Sequence, residues 1–376
     1  MVRAKIKRAK KLVRVLAMGA RQLWSTSVLR ILSVTSVRNE GPYLLEWIAH
    51  HKAAGVTDFL VYSNDCDDGS DRMLSQLHDA GVLTHVPQVR ESNRSIQWQA
   101  LNRGWKHPLR KQADWILVSD VDEYMNIHVP GYRISDLLAA LPENTDGIAV
   151  PWRLFGHNNV LDIQDAPVTT QFTRAIPPDT SFPISSSMFK MMFRRAGPFN
   201  QLGVHRPKQK AADKAGLPNF VDGAGAPLPP FLAETPNRLS LYMLSQGRSL
   251  VEMNHYAIRS AAAFLVKKAR GLPNRSHKAV DLSYWVERNF NTVEDTSIAN
   301  MRPATEVQLE QLLAIDGVLE THAAALAWHQ AKFMDLVAQP DHQRLLTEIL
   351  TAGSSAVLPL ALQRQLVRWC QQAHEA

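Results

Sequence analysis

The sequence has few cysteines, little glycine and proline, and no long apolar run. Only Cys66 and Cys370 are present, about three hundred positions apart, so no disulfide framework or cysteine-based zinc site can form, and the chain suits a reducing compartment. Glycine and proline make up about a tenth of the 376 residues and hydrophobic residues 45%, which excludes a disordered or collagen-like chain. No stretch of 18 uncharged apolar residues occurs, so no membrane-spanning helix is expected.

Acidic residues are absent from positions 1–30, the leader, which holds nine lysines and arginines; the first carboxylate is Glu40. The rest of the chain has 33 basic and 35 acidic residues, so the formal charge of +7 belongs to the leader. Apolar residues recur there at steps of three and four, which predicts an amphipathic helix. They are Val2, Ile6, Ala9, Val13, Leu16, Ala20 and Leu23.

A basic amphipathic leader favours the surface of an anionic membrane. Arg14 and Arg21 interrupt its apolar positions, which excludes a secretory signal. We therefore expect a cytoplasmic protein that lies peripherally at the inner face of the plasma membrane. A mitochondrial-type presequence, or a helix packed on the domain, is also compatible with this composition. Nucleic-acid binding is not expected, because the excess of basic residues does not continue into the body of the chain.

After the leader, β-rich runs alternate with apolar periodic segments. The predicted strands are 31–37, 58–63, 82–86, 115–119 and 147–152. Strands separated by helices of ten to fifteen residues predict an α/β fold with a doubly wound, mostly parallel sheet, over residues 31–300. Residues 205–240 are rich in Pro, Gly and Ala and predict a long loop, and residues 301–376 predict a C-terminal helical appendage.

The clearest chemical signal is Asp120-Val121-Asp122-Glu123-Tyr124, directly after the apolar strand that begins at Trp115. Three carboxylates within four positions repel one another, and a bound divalent cation would relieve that repulsion. Hard oxygen ligands suit Mg²⁺ or Mn²⁺. The alternative is a solvated acidic turn.

Three further polar segments follow or precede strands in the same way. The loop Asn64–Ser70 either caps the next helix through Asp68 or hydrogen-bonds a nucleoside. Arg38-Asn39-Glu40 ends the first strand, and Gln97 and Asn102 lie on the helix before the acidic motif. Each segment alone is equally compatible with a structural role, and ligands of doubly wound sheets bind where such loops meet.

In order along the chain, SVTSVRNEGPYLLEW, NDCDDGS, QWQALNRG and DVDEY resemble glycosyltransferase family 2 and its GT-A relatives. The likeness covers about residues 31–175 and is strongest to a bacterial subgroup with the motifs N-E, D-G-S and D-V-D-E-Y. Cys66, where that subgroup usually has serine, and the basic leader depart from the pattern. The resemblance implies a GT-A type sheet and a metal-dependent enzyme.

The resemblance also implies roles for individual residues. Asp120 would face the ribose or the donor sugar, and Asp122 would bind Mn²⁺ or Mg²⁺. Glu123 would either support the site or contact the sugar, and Asp122 and Glu123 are the expected catalytic residues. The full set implied or suggested for the nucleotide-sugar is Arg38, Asn39, Glu40, Asn64, Asp65, Asp68, Gln97, Asn102 and Asp120. An inverting reaction is implied, which needs a carboxylate base within reach of the acceptor hydroxyl. Its candidates are Asp162, Asp165 and Glu234.

Several later residues are further candidates. A histidine, His205 or His255, would complete a metal site that also includes Asp120 and Asp122. Arg206 and Arg259 are alternatives for binding diphosphate oxygens. Side chains that would either offer a platform to a sugar or pack in the core are Trp152, Arg153 and Phe155. For His50 and His51, on the first helix, we expect a structural role.

The function predicted is transfer of a sugar from a nucleotide-sugar donor to a saccharide or lipid-linked acceptor, in bacterial surface polysaccharide or glycolipid synthesis. A sugar nucleotidyltransferase is disfavoured, because no glycine-rich phosphate loop follows the first strand. A non-catalytic carbohydrate-binding protein on the same fold stays an alternative. A haloacid-dehalogenase-like phosphatase is excluded, since no threonine follows the acidic motif, which also does not follow the first strand.

Deletion of residues 1–30 tests the role of the leader. We expect the full chain to pellet with membranes and the truncated chain to stay in the soluble fraction, because the amphipathic basic segment supplies the attraction to anionic lipid. Fractionation of cells that express either form measures this. A truncated protein that still pellets would show that the leader is not the anchor.

Overall fold

A computed structural model describes residues 29–91, 95–241, 247–271 and 280–375. The predicted leader helix therefore lies outside the described residues, apart from Leu29 and Arg30. The strands are β1 (Ile31–Val37), β2 (Asp58–Ser63), β3 (Thr84–Pro87), β4 (Trp115–Val118), β5 (Glu123–Ile127), β6 (Gly147–Leu154), β7 (Arg174–Ala175), β8 (Phe189–Arg194), β9 (Phe199–Gln201), β10 (Lys208–Gln209), β11 (Phe220–Val221), β12 (Val251–His255) and β13 (Val293–Glu294).

Helices fill most of the connections between strands and nearly all of the chain after residue 301. They are α1 (Gly41–Ala54), α2 (Ser70–Asp79), α3 (Ile96–Lys106), α4 (Pro108–Gln112), α5 (Ile134–Ala139), α6 (Val168–Gln171), α7 (Ala212–Ala215), α8 (Pro230–Glu234), α9 (Ala261–Arg270), α10 (Leu282–Val286), α11 (Arg302–Leu313), α12 (Val318–Val337), α13 (Pro340–Ala352) and α14 (Leu360–Glu375). None of the described helices is long and apolar enough to cross a membrane.

A nine-stranded sheet organises the molecule, in the order β3-β2-β1-β4-β8-β6-β12-β5, with β11 beside β6. Five of its eight strand pairings are parallel, and β8 and β5 are the antiparallel members. The predicted fold class is confirmed as an α/β, mostly parallel, doubly wound sheet with C-terminal helices. Because β8 reverses direction between β4 and β6, the strands β1, β2, β4, β6 and β12 all end at one edge.

The first two predicted strands and the first helix coincide with the structure. Pro42 occupies the first turn of α1, where its missing N–H costs nothing. Gly55 ends the helix in the left-handed region, with φ of 107°. The strand predicted at 147–152 continues to Leu154. Several strands were not predicted, among them β5, β8 and β12 of the main sheet. β5 starts at Glu123, inside the acidic motif, after a turn in which the Glu123 N–H donates to the Asp120 carbonyl.

Two apolar layers enclose the sheet. One contains α3 and the segment from β9 to α8, with Leu32 and Val34 of β1. The other contains α1, α2, α9 and the C-terminal helices, whose Phe333 and Leu336 share its core. The predicted loop at 205–240 has few regular elements, namely β10, α7, β11 and α8.

Asp68 joins the C-terminal helices to the edge of the sheet. Its carboxylate is buried and accepts hydrogen bonds from the backbone N–H of Gly41 and of Ser70, both at 2.9 Å, and His329 Nε2 of α12 lies 2.8 Å away. At the same contact, a Cβ on Gly41 would collide with the side chain of Ala325. Burial alone would raise the pKa of Asp68, but the hydrogen bonds, with His329 first among them, bring it below its ordinary value.

We expect His329→Ala to lower the free energy of unfolding by about 1–3 kcal/mol, because a buried carboxylate loses a hydrogen-bond donor. Since the folded pKa of Asp68 is depressed, its stabilisation is present above the ordinary aspartate pKa of about 3.9 and is lost as the pH falls through the folded value. Urea denaturation at neutral and acidic pH measures both. His322→Ala, on the same helix and beside exposed Asp165, should cost less than about 0.5 kcal/mol. Equal losses in both variants would contradict this assignment.

Candidate active site

A cleft of about 650 Å³ lies at the edge where the parallel strands end. Loops after β1, β2 and β4 line it, together with the end of β12, the last turn of α9 and the loop after β9. The strand ends contribute Ser36, Val37, Arg38, Glu40, Asn64, Asp120, Val121, Asp122, Trp152 and His255 to its lining. This is the edge at which doubly wound sheets bind ligands.

Positive charge dominates the lining. Seven basic side chains face three carboxylates, those of Glu40, Asp120 and Asp122. The basic residues are Arg38, Arg90, Arg206, Lys208, Lys267, Arg270 and Arg288. Guanidinium and ammonium groups are the usual partners of phosphate oxygens, so the cleft is suited to an anionic ligand that carries several such oxygens.

Lys190 of β8 contacts the first and the last carboxylate of the acidic motif. Its side chain is fully buried, and its Nζ lies 2.9 Å from Asp120 Oδ2 and 3.1 Å from Glu123 Oε2. Glu123 Oε2 also accepts the backbone N–H of Asp120 at 2.8 Å, and Gln97 Nε2 donates to Asp120 Oδ1 at 3.1 Å. Burial raises the pKa of Glu123 to about 8. Burial alone would lower the pKa of Lys190, but the neighbouring Asp120 and Glu123 raise that pKa above its ordinary value.

Asp122 has a different set of partners. Lys267 Nζ, on α9, lies 2.8 Å from Asp122 Oδ2, and His255 Nε2 lies 3.7 Å from Asp122 Oδ1. Burial alone would raise the pKa of Asp122, but the neighbouring Lys267 ammonium group holds that pKa well below its ordinary value. Burial lowers the pKa of His255 to about 3. The site therefore presents an ionised carboxylate beside a neutral imidazole.

Glu40 fixes the loop after β1 to the segment after β12. Its carboxylate pairs with Arg259, at 2.8 Å, and with Arg270, which also donates to the backbone oxygens of the β1 loop. Burial would raise the pKa of Glu40, but the two arginines lower it. Arg259 has φ of 56°, a backbone strain of about 1–3 kcal/mol that persists only where surroundings enforce it. Its guanidinium lies over the ring of Tyr43 at 3.6 Å.

The structure brings together eight of the predicted site residues as lining of the cleft. They are Arg38, Glu40, Asn64, Gln97, Asp120, Asp122, His205 and His255. Of these, Glu40 is the one whose carboxylate is already paired with two arginines. Gln97 is 2% exposed, and its buried Oε1 has no hydrogen-bond partner, so this amide oxygen can accept from a ligand.

The remaining predicted nucleotide ligands do not line the cleft. Asp68 is committed to α1, α2 and His329, as described above. Asn39 and Asp65 have φ of 49° and 44°. Asn39 joins the loops after β1 and β2 through Asp67, and Asp65 accepts from Asn64 within its own loop. Asn102, on α3, accepts from Gln201 of β9. The three side chains have structural partners.

The three candidate bases are also outside the cleft. Asp162, Asp165 and Glu234 are exposed, and Asp165 lies 3.4 Å from His322. The loop after β6 and the helix α8 carry these carboxylates on the surface, so the structure does not bring them to the acidic motif. Glu123, itself part of the acidic motif, is fully buried and does not line the cleft.

Asp122 and His255 are the residues that fit a divalent cation. A carboxylate oxygen and an imidazole nitrogen 3.7 Å apart can bind one ion together, and Mg²⁺ commonly takes only one or two protein ligands beside substrate phosphates. Both oxygens of Asp120 already accept from Lys190 and Gln97. In the described ranges, no group of three or more His, Cys, Asp or Glu side chains is placed to hold a metal. His205 hydrogen-bonds the backbone oxygen of Phe189.

The other residues singled out in the sequence have structural partners. Arg259 pairs with Glu40, and Arg206 donates to the Leu232 carbonyl. Trp152 lines the cleft and packs on His255, with ring centroids 4.0 Å apart. The others have partners outside the cleft. Arg153 lies beside Asp295, and Phe155 packs against Tyr256. His50 hydrogen-bonds the Met125 carbonyl, and His51 hydrogen-bonds the Trp47 carbonyl.

Sequence reasoning missed the two lysines that neutralise the acidic motif. Lys190 gave a signal, since it is the lone charge among the apolar residues of FKMMF. Lys267 lies in the last turn of α9, where a basic residue is common and indicates nothing about a site.

Lys190→Met tests the buried charge cluster. We expect it to lower the free energy of unfolding by about 3 kcal/mol, because the buried Glu123 and the partly exposed Asp120 lose their shared cation. Chemical denaturation measures this. Lys210→Met removes an exposed lysine and should change stability by no more than about 0.5 kcal/mol. A Lys190→Met protein as stable as wild type would show that the cluster is not held by this pairing.

A comparison with known protein families finds a match that includes the acidic motif. Residues 34–215 match the family model of glycosyltransferase family 92. A family 92 protein of Ricinus communis is 27% identical over 146 residues, and one of Oryza sativa subsp. japonica is 24% identical over 156 residues. These matches cover 37% and 40% of this chain but a quarter of each relative. The expected family 2 subgroup is not confirmed.

Solved structures with similar folds include Staphylococcus aureus TarS 1-349, at 11% identity and a TM-score of 0.32, with 92% of each chain covered. The same protein in complex with UDP-GlcNAc matches 82% of this chain and 91% of its own, at 11% identity and a TM-score of 0.32. The family model and the plant relatives, rather than these distant structures, support a glycosyltransferase.

Proposed function

We propose that this protein is a glycosyltransferase that moves a sugar from a nucleotide-sugar donor to an acceptor hydroxyl. The observation that carries the proposal is that two carboxylates of the acidic motif and seven basic side chains line one cleft at the carboxyl edge of the sheet. That cleft lies mainly within the segment that matches family 92. A nucleoside diphosphate needs such cations for its phosphate oxygens.

The donor would lie along the strand ends. Arg38 and Asn64, after β1 and β2, would contact the nucleoside, and Gln97 Oε1 would accept from one of its hydroxyl or amide groups. Arg270 and Arg288 would face the diphosphate from the opposite wall. In the reaction, the bond from the anomeric carbon to the diphosphate oxygen breaks, the acceptor oxygen bonds to that carbon, and a base takes the hydroxyl proton.

Asp122 and His255 would hold Mn²⁺ or Mg²⁺ in this scheme. When bound, the ion supplies positive charge to the leaving diphosphate. The chain itself would keep Asp122 ionised and His255 neutral. Trp152 packs on the imidazole of His255, whose Nε2 faces the Asp122 carboxylate. An inverting course, with one in-line displacement, is part of the proposal.

We place the acceptor in bacterial surface polysaccharide or glycolipid synthesis, following the sequence motifs that resemble the family 2 subgroup. The basic leader supports a peripheral position at the inner face of the plasma membrane, near a lipid-linked acceptor.

Calorimetric titration with UDP, GDP and common nucleotide sugars, with and without Mn²⁺, tests the donor site. We expect one nucleotide class to bind, and Mn²⁺ to strengthen its binding. Asp122→Asn should weaken metal-dependent binding by about tenfold or more, because the carboxylate that attracts the ion is lost.

Asp162→Asn is the matched control, since Asp162 is an exposed carboxylate outside the cleft, and it should bind like wild type. Thermal unfolding of both variants checks that they are folded. Absence of binding by any nucleotide to folded, Mn²⁺-supplied wild type would contradict the transferase. Binding of free saccharides alone would favour the non-catalytic carbohydrate-binding alternative.

A further inference from the structure

Lys267 competes for the carboxylate to which the proposed cation would bind. Its Nζ donates to Asp122 Oδ2 at 2.8 Å and to the Ala257 carbonyl at 2.9 Å. The side chain is 11% exposed and lines the cleft. Lys267 occupies Oδ2, and the proposed ion would bind Oδ1 together with His255. An ammonium group and a divalent cation on the two oxygens of one carboxylate repel each other at such short distances, so each weakens the binding of the other.

The surroundings of Lys267 offer its ammonium group a second position. Its Nζ lies 5.5 Å from the ring centroid of Tyr284, which also lines the cleft, and an aromatic face attracts a cation. A lysine side chain has four flexible methylenes and a compact charge with three donors. It can therefore leave the carboxylate while its base on α9 stays fixed, and still face the cleft.

We propose that Lys267 is the resident counter-ion of Asp122, that a divalent cation displaces it, and that the displaced ammonium group then binds the donor's diphosphate. This inference rests on the proposed function and adds a residue to its donor site. Lys267 opposes the metal in the absence of donor and supports the nucleotide once the metal is bound. Its removal should therefore change the two affinities in opposite directions.

Lys267→Met separates this role from a structural one. Mn²⁺ alone is titrated into wild type and variant, and free Mn²⁺ is read from its electron paramagnetic resonance signal. We expect the variant to bind Mn²⁺ about tenfold more tightly, because Asp122 no longer has a competing cation. At saturating Mn²⁺, the nucleoside diphosphate that wild type binds should bind the variant about tenfold more weakly.

Two further variants control the experiment. Lys268→Met removes the same charge from the neighbouring position, where Nζ donates to the Val280 carbonyl at 3.3 Å, and should leave both affinities within about twofold of wild type. Lys267→Arg keeps the charge and should restore nucleotide binding, and thermal unfolding confirms that each variant is folded.

The outcomes are distinct. Unchanged or weaker Mn²⁺ binding by folded Lys267→Met would overturn the counter-ion role, and unchanged nucleotide binding would overturn the diphosphate contact, while the proposed function would stand in both cases. Wild type that binds no nucleotide at all would overturn the proposed function itself. Tighter Mn²⁺ binding together with weaker nucleotide binding supports the inference.

Discussion

Asp120, Asp122 and Glu123 lie within four positions of the chain at the end of a buried strand, where neighbouring cations and the raised pKa of Glu123 relieve their mutual repulsion. The fold supplies those cations from distant parts of the sequence. Lys190 comes from the antiparallel strand β8, Lys267 from α9. The reversal of β8 within the sheet places its first residues at the carboxyl edge, and the close packing of β12 on β6 brings α9 to the same edge. The architecture of the cleft follows from this neutralisation.

The same principle explains which charges are available to a ligand. Glu40 is occupied by Arg259 and Arg270, and Asp68 by two backbone amides and His329. These pairs lock the loops after β1 and β2, so that Arg38 and Asn64 face the cleft. The residues predicted from the sequence to form one nucleoside site therefore have two roles. Glu40 and Asp68 hold the loops, and Arg38 and Asn64 face the cleft.

Local sequence was sufficient to predict β1, β2 and α1, because the short β-rich runs and the periodic apolar segment between them are patterns that act within a few positions of the chain. It also located the acidic motif at a strand end. The partners of that motif were not predictable in this way, since Lys190 and Lys267 lie about 70 and 145 positions further along. The candidate bases failed for a related reason: Asp162, Asp165 and Glu234 have suitable chemistry, but only the tertiary fold decides that they are exposed. The leader and the acceptor class stay predictions.

Turnover tests the central claim, that this cleft binds and activates a nucleotide-sugar, most directly. Purified protein is incubated with Mn²⁺ and each of a panel of nucleotide sugars, and the free nucleoside diphosphate released is measured by mass spectrometry, with Asp122→Asn as the comparison. We predict release from one nucleotide class by wild type, and a rate reduced to background in the variant. The contradicting result requires a wild-type protein that is folded and binds Mn²⁺. If that protein releases nucleoside diphosphate no faster than Asp122→Asn, with every donor and every saccharide acceptor supplied, the claim is wrong.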